Sequence, residues 1–314
     1  MHRNQSIDSF RGLAILGMVF FTFTLRLSRN LPDILRHNAR GSVHIGDFIL
    51  PMFLFASGLS LAYFIEKRKN QRQDIFYKDV TKRFARLALI GICISFFSTN
   101  RFFGMDEVML SAILFIACIL LYKIDWKIIL VLIFLINSTY FILVYFDEIS
   151  IFKMYYLGGY PAALYYLPVM LTGLIIGKEI IKKDLWSKNN KIIFFAIIIY
   201  FIFFYLLIPI DKLAVTPSFM MISIIFSILV FIIVKGLIQK LPFKKELEYL
   251  GKKPIRYWLM MFIIFLIPLW FYFEITNQTF PLNINWFIAI ILSFGAMLLL
   301  YLVSIVIDYT TISD

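Results

Sequence analysis

The residues of this sequence best suited to proton transfer are its histidines, two of which lie shortly before a carboxylate. His37 and His44 precede Asp47 by ten and three residues, whereas His2 stands next to the first residue of the chain. A carboxylate that binds an imidazole fixes the tautomer of the ring and raises its basicity, which suits general acid–base catalysis. Spacing alone favours His44 as the partner, because residues three apart share a helix face, whereas His37 needs a loop that folds back. The structural alternative is that Asp47 stabilises a helix N-terminus.

A second pair of opposite charges, Asp8 and Arg11, stands at the start of the first apolar run. Their i,i+3 spacing permits an ion pair, and Asp8 could also cap the helix. The functional alternative is that Arg11 binds an anionic cofactor. We expect no metal site, because the sequence has no HExxH or CxxC motif and no third ligand near the histidines.

The polypeptide that must position these residues has the composition of a membrane protein. Of its 314 residues 61% are hydrophobic and 16% are charged, and the mean hydropathy is +0.85. Soluble domains carry about 25% charged residues, and the long apolar runs extend from end to end, so a soluble enzyme with one anchor helix is excluded. The runs also exclude an outer-membrane β-barrel, whose strands alternate apolar and polar residues. Ten runs approach the roughly 20 residues that a spanning helix needs: 9–27, 45–65, 83–99, 107–122, 127–146, 160–178, 191–209, 217–237, 255–274 and 285–307.

The distribution of basic residues supports ten spans and gives an orientation. With alternating loops, 24 of the 31 basic residues fall on one side of the membrane, which by the positive-inside rule is the cytoplasm. Both termini are then cytoplasmic, and residues 26–44, with His37 and His44, lie outside. The rule also explains the net charge of +12 without a nucleic-acid partner. The sequence thus predicts an all-α, polytopic integral membrane protein of about ten helices in one bundle, with a single domain over 1–314.

Four sequence blocks resemble one known family. Ser6-Ile-Asp-Ser-Phe-Arg-Gly resembles the first helix of the heparan-alpha-glucosaminide N-acetyltransferase-like family, and His37 with Asp47-Phe-Ile-Leu-Pro-Met-Phe resembles its His…Asp-Leu-x-Phe-Pro-x-Phe block without a gap. Tyr160-Pro-Ala-Ala-Leu resembles a later Pro-rich helix entry, and Gly251-Lys-Lys-Pro-Ile-Arg-Tyr resembles the Gly-Lys-Asn-Pro block near the end. The resemblance implies a transmembrane acyltransferase.

The resemblance further implies which residues act and on what. It implies transfer of an acetyl group from cytoplasmic acetyl-CoA to a sugar or glycan acceptor outside, with His37 and Asp47 as the catalytic pair in place of His44. His37 would act as a general base or would carry the acyl group itself, and both routes stay open. Four basic residues on the cytoplasmic side are candidates for the phosphates of coenzyme A: Arg11, Lys252, Lys253 and Arg256.

The rival function is a transporter or flippase for a small polar or lipid-linked substrate, in which His37 and Asp47 would line the path. The sequence shows no repeated halves of the kind common in transporters. We expect a protein of a prokaryotic cell membrane that contacts the lipid bilayer and forms a homodimer.

Overall fold

The computed structural model is mostly helical in the part of the chain that it describes. That part comprises residues 4–36, 43–99, 106–145, 159–182, 185, 187–212, 215–276, 282 and 284–312. Twelve α-helices are assigned: α1 Gln5–Leu27, α2 Ile49–Arg68, α3 Gln73–Thr99, α4 Glu107–Leu121, α5 Trp126–Tyr145, α6 Gly159–Lys182, α7 Lys188–Leu207, α8 Pro217–Leu237, α9 Lys244–Lys252, α10 Pro254–Met261, α11 Ile267–Thr276 and α12 Trp286–Ile312. Short 3₁₀ helices lie at Asp33–Leu35, Ile45–Phe48 and Ile238–Lys240.

Eight helices in the described part are long and apolar enough to cross a membrane, which confirms an all-α, polytopic membrane protein. They coincide with eight of the ten predicted runs. The other two runs, 83–99 and 107–122, are helical as well, but α3 is not among the eight and α4 has only 15 residues. The count of ten is therefore not confirmed.

The chain divides into two compact units. The first contains α2 to α7 and α8 as far as Leu229. The second contains α1, the 3₁₀ helix that precedes α2, and the chain from Val230 onwards. The prediction of a single domain stays a prediction, and each unit is described by itself.

Close packing of α2 against α6 organises the first unit. A Cβ added at Gly58 would lie 2.1 Å from the Met170 carbonyl oxygen, and one at Gly173 would lie 2.2 Å from the Phe55 carbonyl oxygen. Only glycine permits two helix backbones to approach so closely. Further contacts of the unit join α3 to α4, α6 to α4, α5 and α7, and α5 to α7.

In the second unit the long helix α1 packs against α9, α10 and α12. The crossing of α1 and α9 is again glycine-dependent, since a Cβ at Gly12 would lie 2.1 Å from the Leu247 carbonyl oxygen. Helix α9 was not predicted as a helix, because its nine residues include five charged ones. It is too short and too polar to appear as an apolar run.

The predicted run 255–274 is one hydrophobic stretch but not one regular helix. A π-helical segment, Phe262–Leu266, separates α10 from α11. Pro268 has no amide hydrogen for the i→i−4 bond and its ring crowds the preceding turn, which accounts for irregular backbone just before it.

Candidate active site

Asp47 lies on the 3₁₀ helix Ile45–Phe48, which leads directly into α2. The residue is buried, with 1% of its surface exposed. Its Oδ2 accepts a hydrogen bond from the backbone N–H of His44 at 2.9 Å, and its own N–H donates to the His44 carbonyl at 3.0 Å. Asp47 therefore satisfies a backbone donor at a helix start, which is the structural role that the sequence offered as an alternative.

Small residues hold this segment against α1. A Cβ at Gly46 would lie 2.8 Å from the Phe21 ring, and one at Gly17 would lie 2.8 Å from the Ile49 side chain. The 3₁₀ helix Asp33–Leu35 also packs against the segment. The position of the Asp47 carboxylate is thus set by backbone contacts and by packing on a long, rigid helix.

Of the two histidines that were predicted near Asp47, the structure describes only His44. His44 is half-buried at the N-cap of the segment, and its backbone N–H donates to the Asp47 carboxylate. The three-residue spacing favoured the imidazole of His44 as the partner of Asp47, and that pairing stays a prediction. His37 lies outside the described residues, so its role and its partnership with Asp47 stay predictions.

At the opposite end of α1, Arg11 joins two helices. Its guanidinium donates to Asp8 Oδ1 at 2.9 Å and to the Gly251 carbonyl oxygen. Both side chains are largely buried, and the predicted i,i+3 ion pair is confirmed. The N-cap is not Asp8, however, since helix α1 begins at Gln5 and Asn4 Oδ1 accepts from the Ser6 N–H at 3.0 Å. Asp8 lies too far into the first turn to cap it.

Two of the other three predicted cofactor-binding residues, Lys253 and Arg256, bind one carboxylate that the sequence analysis missed. Lys253 and Arg256 both donate to the Asp308 carboxylate of α12. The Tyr249 hydroxyl donates to it as well, and burial, followed by this carboxylate, raises the pKa of Tyr249. Lys252 is exposed.

Asp308 had no signal in the sequence beyond its charge at the end of an apolar run, 52 residues away from Arg256. Three of the four predicted cations thus form ion pairs: Arg11 with Asp8, and Lys253 and Arg256 with Asp308. Their role as ligands of coenzyme A stays a prediction.

The sequence model for the catalytic domain of heparan-alpha-glucosaminide N-acetyltransferase matches residues 3–197. This match covers more than half of the chain. The chain belongs to this family. No curated protein matches the chain in a sequence search. The matched region contains Arg11, His37 and Asp47, whereas Lys252, Lys253 and Arg256 lie beyond it. Family membership and the eight apolar helices together make the protein a membrane acetyltransferase.

Proposed function

We propose that the protein transfers an acetyl group from acetyl-CoA on the cytoplasmic side to a sugar or glycan acceptor on the other side. The observation that carries the proposal is the family match over residues 3–197, because it includes the whole segment with His37 and Asp47. The orientation follows from the predicted asymmetry of basic residues between the loops.

His37 is the proposed base and Asp47 is its proposed partner. In the direct route the imidazole takes the proton from the acceptor hydroxyl or amine as that atom attacks the thioester carbonyl. The C–S bond then breaks, and the thiolate leaves and takes up a proton. In the alternative route the imidazole attacks first and passes the acetyl group on. The buried, backbone-bound Asp47 carboxylate supports either route, because a fixed carboxylate orients an imidazole better than a mobile one does.

For the donor we propose the positive cluster of the second unit as the site of the phosphates. Its cations are Arg11, Lys252, Lys253 and Arg256, and the exposed Lys252 is the most accessible of them. Basic side chains attract the phosphates of coenzyme A, and its uncharged pantetheine arm can pass between helices.

The test measures the binding of acetyl-CoA and coenzyme A, and the transfer of the acetyl group. Acetyl-CoA and coenzyme A should raise the unfolding temperature of the detergent-solubilised protein, because a ligand that binds only the folded state stabilises it. If the protein were a transporter for another substrate, neither compound would change its unfolding temperature. No shift with either compound, together with no acetyl transfer in membranes, would rule the proposal out.

A further inference from the structure

A half-buried arginine of the first unit, Arg83, lies on two aromatic rings. The guanidinium carbon of Arg83, in α3, is 5.0 Å from the centroid of the Phe64 ring of α2 and 5.3 Å from that of the Phe115 ring of α4. The two rings meet edge to face with their centroids 6.2 Å apart. They form an aromatic corner, defined by Phe64 and Phe115, into which Arg83 reaches.

A second arginine shares this corner. The guanidinium carbon of Arg68, at the end of α2, lies 4.1 Å from the centroid of the same Phe64 ring. Two guanidinium groups therefore stack on one ring, and they repel each other unless negative charge lies between or beside them. Arg68 obtains that charge from Asp79, whose Oδ2 accepts from Arg68 Nε at 2.8 Å.

Arg83 has no negatively charged partner among the described residues. No hydrogen bond or ion pair of its guanidinium is present in that part of the chain, and its contacts are the two ring faces. The nearby Glu66 is engaged elsewhere, because its Oε2 accepts from the Tyr122 hydroxyl at 3.1 Å and its Oε1 lies 3.5 Å from Lys69 Nζ.

Without a ligand, the N–H donors of the Arg83 guanidinium have no hydrogen-bond acceptor in the described part of the chain, which costs free energy. Arg83 is only partly exposed, and a guanidinium has five N–H donors. Phe115 lies six residues before the end of α4, roughly 9 Å along the helix axis, so the group lies below the helix ends. Stacking on aromatic rings stabilises a cation but satisfies no N–H donor. An ionisable side chain at such a depth normally has an anionic or hydrogen-bonding partner.

We propose that Arg83, with Arg68 beside it, binds a phosphate group at the aromatic corner. A phosphate accepts two parallel N–H bonds from one guanidinium, which is the geometry that distinguishes arginine from lysine. The phosphate belongs either to a nucleotide that enters from solution or to the headgroup of an anionic lipid. The proposal concerns the first unit alone and goes beyond the acetyl transfer proposed above.

The experiment compares the full-length chain with Arg83→Gln, Arg83→Lys and the matched control Arg86→Gln. Arg86 lies three residues later on the same helix and is exposed, so it reports the effect of removing one positive charge from this surface. Unfolding temperatures without ligand establish that each variant is folded. Two probes are used. Adenosine 3′,5′-bisphosphate is titrated into protein in phosphatidylcholine nanodiscs. This titration is repeated with Lys252→Gln and Lys253→Gln added to the chain and to each variant, so that binding at the cations of the second unit is measured separately. Phosphatidylglycerol is titrated in neutral detergent and counted by native mass spectrometry.

One of the two probes should bind, and Arg83→Gln should weaken its binding by about 10- to 100-fold, as expected for lost charge-assisted hydrogen bonds. Arg83→Lys should give an intermediate loss, and Arg86→Gln should change the affinity less than about twofold. If Arg83→Gln loses affinity for the nucleotide alone, the ligand is a soluble phosphate compound. If it loses affinity for phosphatidylglycerol alone, the ligand is a lipid.

The proposal is overturned if neither probe binds the unmodified chain or if Arg83→Gln binds both as tightly as Arg86→Gln does. Acetyl transfer is measured separately in the same nanodiscs with acetyl-CoA. Its failure would count against the proposed function and would leave the phosphate site standing.

Discussion

Asp47 combines a structural role with a proposed catalytic one at a single carboxylate. One of its oxygens accepts from the His44 backbone at 2.9 Å, and this bond holds the carboxylate at the start of the segment that leads into α2. A carboxylate fixed in this way could orient an imidazole without first being ordered itself. Loss of the Asp47 charge should therefore impair both the segment and the chemistry.

Among single substitutions, that of His37 tests the proposed catalytic role most directly. We expect His37→Ala to lower the rate of acetyl transfer by about 10²- to 10⁴-fold, the usual contribution of acid–base catalysis, while coenzyme A binding is retained. His44→Ala is the matched control and should keep most of the activity, because the bond that holds the Asp47 carboxylate comes from the backbone of residue 44. Radiolabelled acetyl transfer in isolated membranes measures both. Equal rates for His37→Ala and the unmodified chain would refute the catalytic role.

Arg11 allows a structural role to be separated from cofactor binding. Arg11→Ala leaves the buried Asp8 carboxylate without its guanidinium, and breaking a buried pair from one side costs about 3–5 kcal/mol. We expect a clear fall in unfolding temperature, and partial recovery in the double variant Asp8→Asn, Arg11→Ala. Titration of acetyl-CoA into the double variant then reports on Arg11 as a phosphate ligand. Affinity equal to that of the unmodified chain would assign Arg11 a purely structural role.

Residue spacing predicted the local part of this chemistry and failed for the distant part. The Asp8–Arg11 pair follows from an i,i+3 rule and is confirmed. The partner of Lys253 and Arg256 could not be predicted, since Asp308 belongs to another helix at the end of an apolar run. The Arg11 bond to the Gly251 carbonyl is likewise invisible in a sequence, because any residue can supply that oxygen.

At the scale of helices, two sequence blocks that resemble the family are in contact. Gly12 belongs to the first block and Gly251 to the last. A Cβ at Gly251 would lie 1.7 Å from the Asp8 carbonyl oxygen and 2.9 Å from the Gly12 nitrogen. Hydrophobic pattern identified α1 but not its short neighbour α9. The amphipathic α9 is stabilised by packing and not by its own length, since isolated helices of nine residues are unstable.

Alanine substitution tests the helix crossing. Gly251→Ala should lower the unfolding temperature strongly, because its methyl group meets backbone atoms that cannot rotate away. Gly295→Ala in α12 is the control, since a Cβ there meets nothing within 4 Å, and it should be neutral or slightly stabilising. Thermal unfolding of the two purified variants in one detergent makes the comparison. Similar unfolding temperatures would show that the crossing is looser than the contacts indicate.

The start of α4 should respond to pH. Asp106 caps this helix by accepting from the Met109 N–H at 2.6 Å, and its Oδ2 is buried without a hydrogen-bond partner among the described residues. Burial raises the pKa of Asp106 to about 7. The folded state then binds the proton more tightly than the unfolded chain does, so this group stabilises the fold fully below its ordinary pKa of 3.8, and the contribution is lost as the pH rises through about 7.

Asp106→Asn tests this pH dependence. Asparagine keeps the cap and carries no charge, so the variant should lose the fall in unfolding temperature between pH 5 and pH 8 that Asp106 causes. The readout is the difference between variant and unmodified chain at each pH. A difference that stays constant across this range would contradict the raised pKa.

At the scale of the whole molecule, composition was the most reliable guide. Eight predicted runs coincide with helices that are long enough to cross a membrane, because a bilayer imposes a length that the sequence must meet. The run that contains α4 has the right hydropathy but yields 15 helical residues. Helices α3 and α4, which overlap the runs 83–99 and 107–122, are not among the eight helices of the described part that are long and apolar enough to cross a membrane.

Accessibility of single cysteines tests the predicted orientation. In a background without Cys93 and Cys118, a membrane-impermeant maleimide added outside cells should label a cysteine at position 40 and spare one at position 70. Position 40 belongs to the segment predicted outside, and position 70 to the loop predicted in the cytoplasm. Labelling at position 70 and not at position 40 would show that the predicted orientation, and with it the proposed direction of acetyl transfer, is wrong.

The central claim is acetyl transfer across the membrane through His37. Sealed, inside-out vesicles from cells that produce the chain expose the predicted cytoplasmic face. Acetyl-CoA with a radiolabelled acetyl group is supplied from outside, and label in the glycans of the vesicle interior is measured for the unmodified chain and for His37→Ala. We expect interior labelling that depends on the unmodified chain and falls by at least about 100-fold in His37→Ala. Equal interior labelling by both proteins, or label that stays on the exposed face alone, would contradict it.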